Sequence, residues 1–221
     1  MKKKKVIIFG LLDTAQLAKY YLINDSEYEV VGFTAHKKYI ISNELEGLPV
    51  VPYENIQKIF PNNEFCFFIP MSGSRMNKLR ESIYNEVKLM NYHVISYVSS
   101  KASIFTKEIG ENCFILEDNT IQPFVKIGNN VTIWSGNHIG HHSIISDNVF
   151  ITSHVVISGH CHIGANSFIG VNSAVRDGIQ IGKGSYIAMS TSISNNTEPW
   201  SVYIGNPAVK KNMQSTSIRK L

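Results

Sequence analysis

Cysteine is scarce in this chain: Cys66, Cys113 and Cys161 are the three in 221 residues, far apart and without a C-x-x-C pair. An odd, scattered set argues against a disulfide framework and fits a reducing compartment. No apolar run approaches the roughly 18 residues of a membrane span, and the segment after Lys2–Lys5 is too short for the apolar stretch of a signal peptide. The expectation is a cytoplasmic protein. Much of the net charge of +4 sits at the ends, in Lys2–Lys5, Lys210, Lys211, Arg219 and Lys220. Those runs read as solvated tails rather than a nucleic-acid surface. The dinucleotide fingerprint G-x-G-x-x-G is absent as well, which argues against a full NAD site.

What is present is a register. An aliphatic residue recurs at every sixth position from Ile109 through Ile115, Ile121 and onward to Val175, Ile181, Ile187 and Ile193, without interruption. A period of six is neither helical nor a simple strand alternation, so one inward residue must return once per flat face of a coil. Two places earlier stand small or aliphatic residues, among them Cys113, Val125, Val131, Ser143, Val149, Val155, Cys161, Ser167 and Ser173, a second and cramped inward position. Three hexads close a triangle of eighteen residues, and successive coils would stack about 4.8 Å apart. The pattern predicts a parallel β-helix in residues 101–221, which end in a C-terminal tail. Asn129-Asn130, Asp147-Asn148, Ala165-Asn166 and Lys183-Gly184 fall at its corners, where positive φ favours Asn and Gly.

Residues 1–100 read differently. Val6–Phe9, Glu29–Thr34, Leu48–Val51, Phe65–Ile69 and His93–Val98 predict strands, with helices over Thr14–Leu22, Glu54–Ile59 and Arg75–Tyr92. Alternation of this kind gives a small α/β domain with a parallel sheet, whose ligands sit beyond the carboxyl ends of the strands. The loops there supply Gly10, Asp13, Thr14, Thr34, His36 and Ser72 as candidate substrate-binding residues. Asp13 or Thr14 would equally serve as a helix cap and Gly10 as a turn; a phosphate at the helix N-terminus is the functional counterpart.

Six of the eight histidines, His138, His141, His142, His154, His160 and His162, fall within 25 positions of the coil. Counting by eighteen sets His160 over His142 and Gly159 over His141. A bare backbone N–H beside an imidazole is a base next to an oxyanion donor, the pairing that acyl transfer requires. Zinc is the competing chemistry for clustered histidines; the spacing known from β-helical carbonic anhydrases, with a histidine pair five residues apart, is missing, and no metal is expected.

A short α/β domain followed by an unbroken hexapeptide coil resembles the nucleotide-sugar acetyltransferases related to the sialic acid O-acetyltransferase and the bacillosamine-pathway N-acetyltransferase. The likeness is strongest in Ser135–Ser143, Ser158-Gly159, Ile169–Asn172 and Tyr203–Ala208. The resemblance implies a homotrimer with a left-handed coil, acetyl-CoA as co-substrate, and transfer to the amino group of a nucleotide-linked sugar for surface glycan biosynthesis. It further implies His141 as base, Gly159 as oxyanion donor, and Val171, Met189 and Phe150 along the cofactor channel with Pro207 near the adenine. His142 stands where the bacillosamine enzyme has a glutamate, and Phe150 where it has a second histidine; His138 and His154 are reserve bases. The N-terminal domain of such enzymes holds the nucleotide, although the acidic residue of the family after the second strand is missing from Thr34-Ala35-His36. Sugar O-acetylation uses the same apparatus. A zinc hydratase and a non-catalytic binding trimer are the readings from other classes.

Overall fold

The structure, a computed structural model, describes residues 4–218; Lys2, Lys3, Arg219 and Lys220 of the expected basic tails lie outside them. The chain divides into two compact units, residues 1–72 with 82–97, and residues 73–81 with 98–221. No helix among the described residues is long and apolar enough to cross a membrane.

In the first unit the apolar runs become β1 (Lys4–Phe9), β2 (Tyr28–Ala35), β4 (Leu48–Pro52), β5 (Phe65–Phe68) and β6 (His93–Val94), mutually parallel in one sheet. A short β3 (Glu44–Leu45) pairs antiparallel to β4 at the edge. The sheet order is β3-β4-β2-β1-β5-β6. Val6, Ile7 and Ile8 in its centre are fully buried, as a strand covered on both faces requires. Helix α1 (Asp13–Asn24) follows β1, but neither Asp13 nor Thr14 caps it. The N-cap is Leu12, which makes no side-chain capping bond, and Asp13 sits in the first turn, where its charge favours the positive end of the helix dipole.

Two buried tyrosines tie the pH range of this unit to its core. Tyr92 is 2% exposed, and its hydroxyl donates to the Phe60 carbonyl at 2.5 Å. Burial pushes its phenol up to about 12 and that of Tyr53, also buried, further still. A phenol in the unfolded chain ionises near about 10. Stability from these neutral phenols is therefore complete below pH about 10 and is lost as the pH climbs through about 12, because the unfolded state releases its protons first. Urea midpoints recorded with phenolate absorbance should fall across that window; a flat midpoint would contradict the assignment.

The second unit is the coil. Two-residue strands end on the six-residue aliphatic column, and partners are eighteen positions apart: Thr120 to His138 to Val156 to Ala174 on the first face, Lys126 to Ile144 to His162 to Gln180 on the second, Thr132 to Phe150 to Phe168 to Tyr186 on the third. The core is that column with the cramped position beside it; Ile115 to Ile187 and Cys113 to Ser173 are nearly all fully buried. Between the second and third faces Asn130, Asn148, Asn166 and Gly184 adopt positive φ as expected, and Asn112, Asn130 and Asn148 chain together through 2.7 Å side-chain bonds.

The helix expected from Arg75 to Tyr92 begins only at Lys78, as α2 (Lys78–Leu89). Arg75, Met76 and Asn77 all have positive φ, from 52° to 62°. Their own unit explains the departure. The Asn77 amide donates to the carbonyls of Asn166 and Ser167 at 3.2 and 3.1 Å, and Met76 packs against Phe150 and Phe168. Those partners outweigh the helix propensity of three residues, whose left-handed backbone costs about 1–2 kcal/mol each.

Candidate active site

The corner between the first and second faces carries the histidines. His142 and His160 both hold positive φ, 59° and 57°, as does Phe124 one coil earlier. Imidazoles thus occupy a corner position expected to prefer small residues, their rings turned out to solvent. His142 stacks on His160 with centroids 4.9 Å apart and planes at 14°, and Phe124 lies 4.6 Å from His142 on its other side. His141 stands edge-on to both histidines, at 5.2 and 5.0 Å. Its Nδ1 is 3.0 Å from Nδ1 of His142, so one ring must donate and the other accept. The backbone beneath is fixed: His141 N–H donates to Gln122 Oε1 at 2.9 Å, and His160 N–H to the His141 carbonyl at 2.9 Å.

Gly159 lies over His141 as the eighteen-residue count requires. A Cβ there would stand 2.8 Å from Cε1 and 3.0 Å from Nε2 of His141, so only glycine leaves room for the ring. The Gly159 N–H meets no acceptor among the described residues. A backbone donor with no acceptor thus belongs to the glycine against which the His141 ring packs, the two kinds of group that a carbonyl oxygen and an attacking nucleophile require.

The other coil candidates spread outward from this corner. His138 lies half-buried on the first face. At the far edge of that face are Val171 and the exposed Met189, with His154 on the same corner at φ 58°. The first face thus runs between the His141 corner and the Val171–Met189 corner. Pro207 is exposed in the turn before the last strand. Phe150 is apart from these: it is on the third face, 6% exposed, packed between Phe168 and the guanidinium of Arg80. Gln122 and Phe124 escaped the sequence reading, although the same ruler of eighteen places Phe124 beside His142.

In the first unit, His36 at the end of β2 and Glu54 beyond β4 line a cleft of about 620 Å³ with Lys37 and Lys38. Glu54 Oε1 is 3.2 Å from His36 Nδ1, and Lys37 N–H donates to Oε2 at 3.1 Å. Hydrogen bonds, first the one from its own N–H, hold the Glu54 carboxyl below the usual carboxylate range against a smaller opposing burial effect. A carboxylate from the turn after β4 therefore stands beside His36. Gly10 has φ 122° and donates to the Thr34 carbonyl at 2.9 Å, while Asp13 and Ser72 are exposed and Thr14 is half-buried. Thr34 is fully buried and its hydroxyl donates to the Val51 carbonyl at 2.9 Å, so it braces the sheet end rather than facing solvent.

The sequence profile of the bacterial transferase hexapeptide (six repeats) matches residues 106–140 and 160–195. No curated protein matches the chain in sequence. Among solved structures, the acetyltransferase domain of PglB from Neisseria gonorrhoeae FA1090, in complex with acetyl coenzyme A, is 17% identical with a TM-score of 0.85, over 95% of this chain and 100% of that one. A mutant of perosamine N-acetyltransferase from Caulobacter crescentus, in complex with CoA and GDP-perosamine, is 17% identical with a TM-score of 0.82, over 95% and 97%. WeeI from Acinetobacter baumannii AYE is 18% identical with a TM-score of 0.80, over 93% and 99%. Residues 106–140 and 160–195 therefore carry hexapeptide repeats of the bacterial transferase type, and the chain, an α/β unit and a left-handed β-helix, has the fold of these acetyltransferases.

Proposed function

We propose that the protein transfers the acetyl group of acetyl-CoA to the amino group of a nucleotide-linked deoxysugar, as a cytoplasmic homotrimer serving surface glycan synthesis. The observation that carries this reading is the free Gly159 N–H beside the ring of His141, whose Nδ1 is engaged by His142. With His141 donating from Nδ1 to His142, the Nε2 lone pair is free. The sugar amine attacks the thioester carbon as Nε2 takes its proton, and the Gly159 N–H holds the developing oxyanion. Collapse expels the CoA thiolate, which recovers that proton from the imidazolium and leaves the acetamide. The complexes of PglB with acetyl coenzyme A and of perosamine N-acetyltransferase with CoA and GDP-perosamine support the co-substrate and the acceptor class. Val171, Met189 and Pro207 are the proposed cofactor contacts, and the cleft of His36 and Glu54, with Gly10 and Asp13 nearby, the nucleotide contacts. Trimerisation accounts for apolar side chains exposed on the coil, Phe124 at 66% and Met189 at 68%.

Purified protein given acetyl-CoA and a panel of amino and hydroxy nucleotide sugars should release free thiol at least about a hundredfold faster with an amino acceptor, the selectivity that a built polar site reaches readily. Preference for a hydroxyl acceptor would make it an O-acetyltransferase. Absence of thiol release with every acceptor would overturn the proposal.

A further inference from the structure

We propose that His141, His142 and His160 form a binding site for a divalent transition-metal ion, with zinc(II) as the probe, and that its occupation switches acetyl transfer off. Each residue offers one ring nitrogen, and the three nitrogens lie within 4.8 Å of one another. Tetrahedral zinc with Zn–N bonds of about 2.0–2.1 Å separates its ligand nitrogens by about 3.3 Å. The Nδ1 atoms of His141 and His142, 3.0 Å apart, are nearly at that spacing already. His160, whose ring nitrogen lies within 4.8 Å of the other two, reaches the same spacing by a side-chain rotation open to an exposed ring.

The backbone makes this a built arrangement rather than a chance encounter of surface histidines. His142 and His160 occupy the same corner position on successive coils with the same left-handed backbone, and the His160 N–H bonded to the His141 carbonyl holds the two turns in register. His141 presents its ring at 85–87° to the other two, while His142 and His160 are stacked at 14°, so an ion shared by all three requires His160 to turn out of the stack. Asp177, whose Oδ1 is 3.0 Å from the point where a Gly159 Cβ would stand, adds negative charge to the corner. Neutral imidazole suits zinc, copper and nickel alike.

The inhibitory consequence follows from tautomer chemistry and rests on the acetyl-transfer reading. A neutral imidazole that binds metal through Nδ1 carries its proton on Nε2. The nitrogen that must accept the amine proton is then already protonated, and no base faces the thioester. His160 makes no step of the transfer, so it separates metal binding from catalysis.

Calorimetric titration of the full chain with zinc(II) should show one ion per chain, and His160→Ala should weaken it by more than about tenfold, since loss even of groups that merely support a metal ligand costs about 10–100-fold. Turnover of the wild type should fall over the same zinc range and return with a chelator, while His160→Ala turns over normally and resists zinc. Binding below one ion per chain, or equal affinity in His160→Ala, would overturn the site; zinc bound at this site without loss of turnover would overturn the switch. A metal-free wild type inactive on every acceptor would overturn the acetyl-transfer reading alone, because the calorimetry does not depend on turnover.

Discussion

His141→Asn is expected to lower kcat by about 10²–10⁴, the usual contribution of a positioned general base, with the coil intact. The side chain is exposed and packs into no core, so its loss removes chemistry rather than stability. Asn keeps a polar group of similar reach but has no lone pair that accepts a proton at neutral pH. Acetyl-CoA binding measured by calorimetry should stay close to wild type, which separates the loss from a failure to bind. The partner ring provides the control. His142→Ala removes the group that holds Nδ1 and should lower kcat at unchanged KM for acetyl-CoA, whereas His142→Glu restores an acceptor and with it most of the rate. Retention of most turnover by His141→Asn would eliminate this histidine as the base.

The ease with which this corner can be reached from the sequence has a physical origin. Each coil buries the same aliphatic position, so the register cannot slip without exposing the whole column, and a count of eighteen becomes a distance in space. Gly159 over His141 and His160 over His142 are both products of that count. Counting fails where the chain leaves the coil. Glu54 reaches His36 from the turn after β4, a pairing set by sheet order and invisible to local spacing. The helical pattern from Arg75 onward conceals three left-handed residues, because propensity records what a segment does alone and not what Asn166 and Ser167 offer it. The αL corners held by His142 and His160 went against composition for a related reason. There the stacked rings and their neighbour Phe124 occupy a ledge where small residues are otherwise the default.

Arg80→Ala is expected to destabilise the protein by about 3 kcal/mol or more, because hydrogen bonds to a charged group are worth about 1.5–3 kcal/mol and the truncation leaves a cavity besides. The side chain is 1% exposed. Its guanidinium donates to Thr132 Oγ1 and to the carbonyls of Asn148 and Val149, both at 3.2 Å, and lies 5.4 Å from the centre of the Phe150 ring. Burial lowers its pKa to about 9, which leaves it charged at neutral pH. Glu81 beside it accepts from Asn148 and Asn166 at 3.3 and 3.2 Å, so residues 73–81 are held to the coil by charge as well as by Met76. The melting temperature should drop by roughly 6 °C or more, at about 2–4 °C per kcal/mol for a chain of this size. Arg80→Met tests which part of the loss is electrostatic. It fills most of the volume and buries no charge, and buried charges replaced by apolar groups of like size often cost nothing. The Val149 carbonyl still accepts from the Thr132 N–H at 3.0 Å. Methionine should therefore recover most of the stability lost with alanine, and an alanine variant as stable as wild type would show that residues 73–81 are held without Arg80.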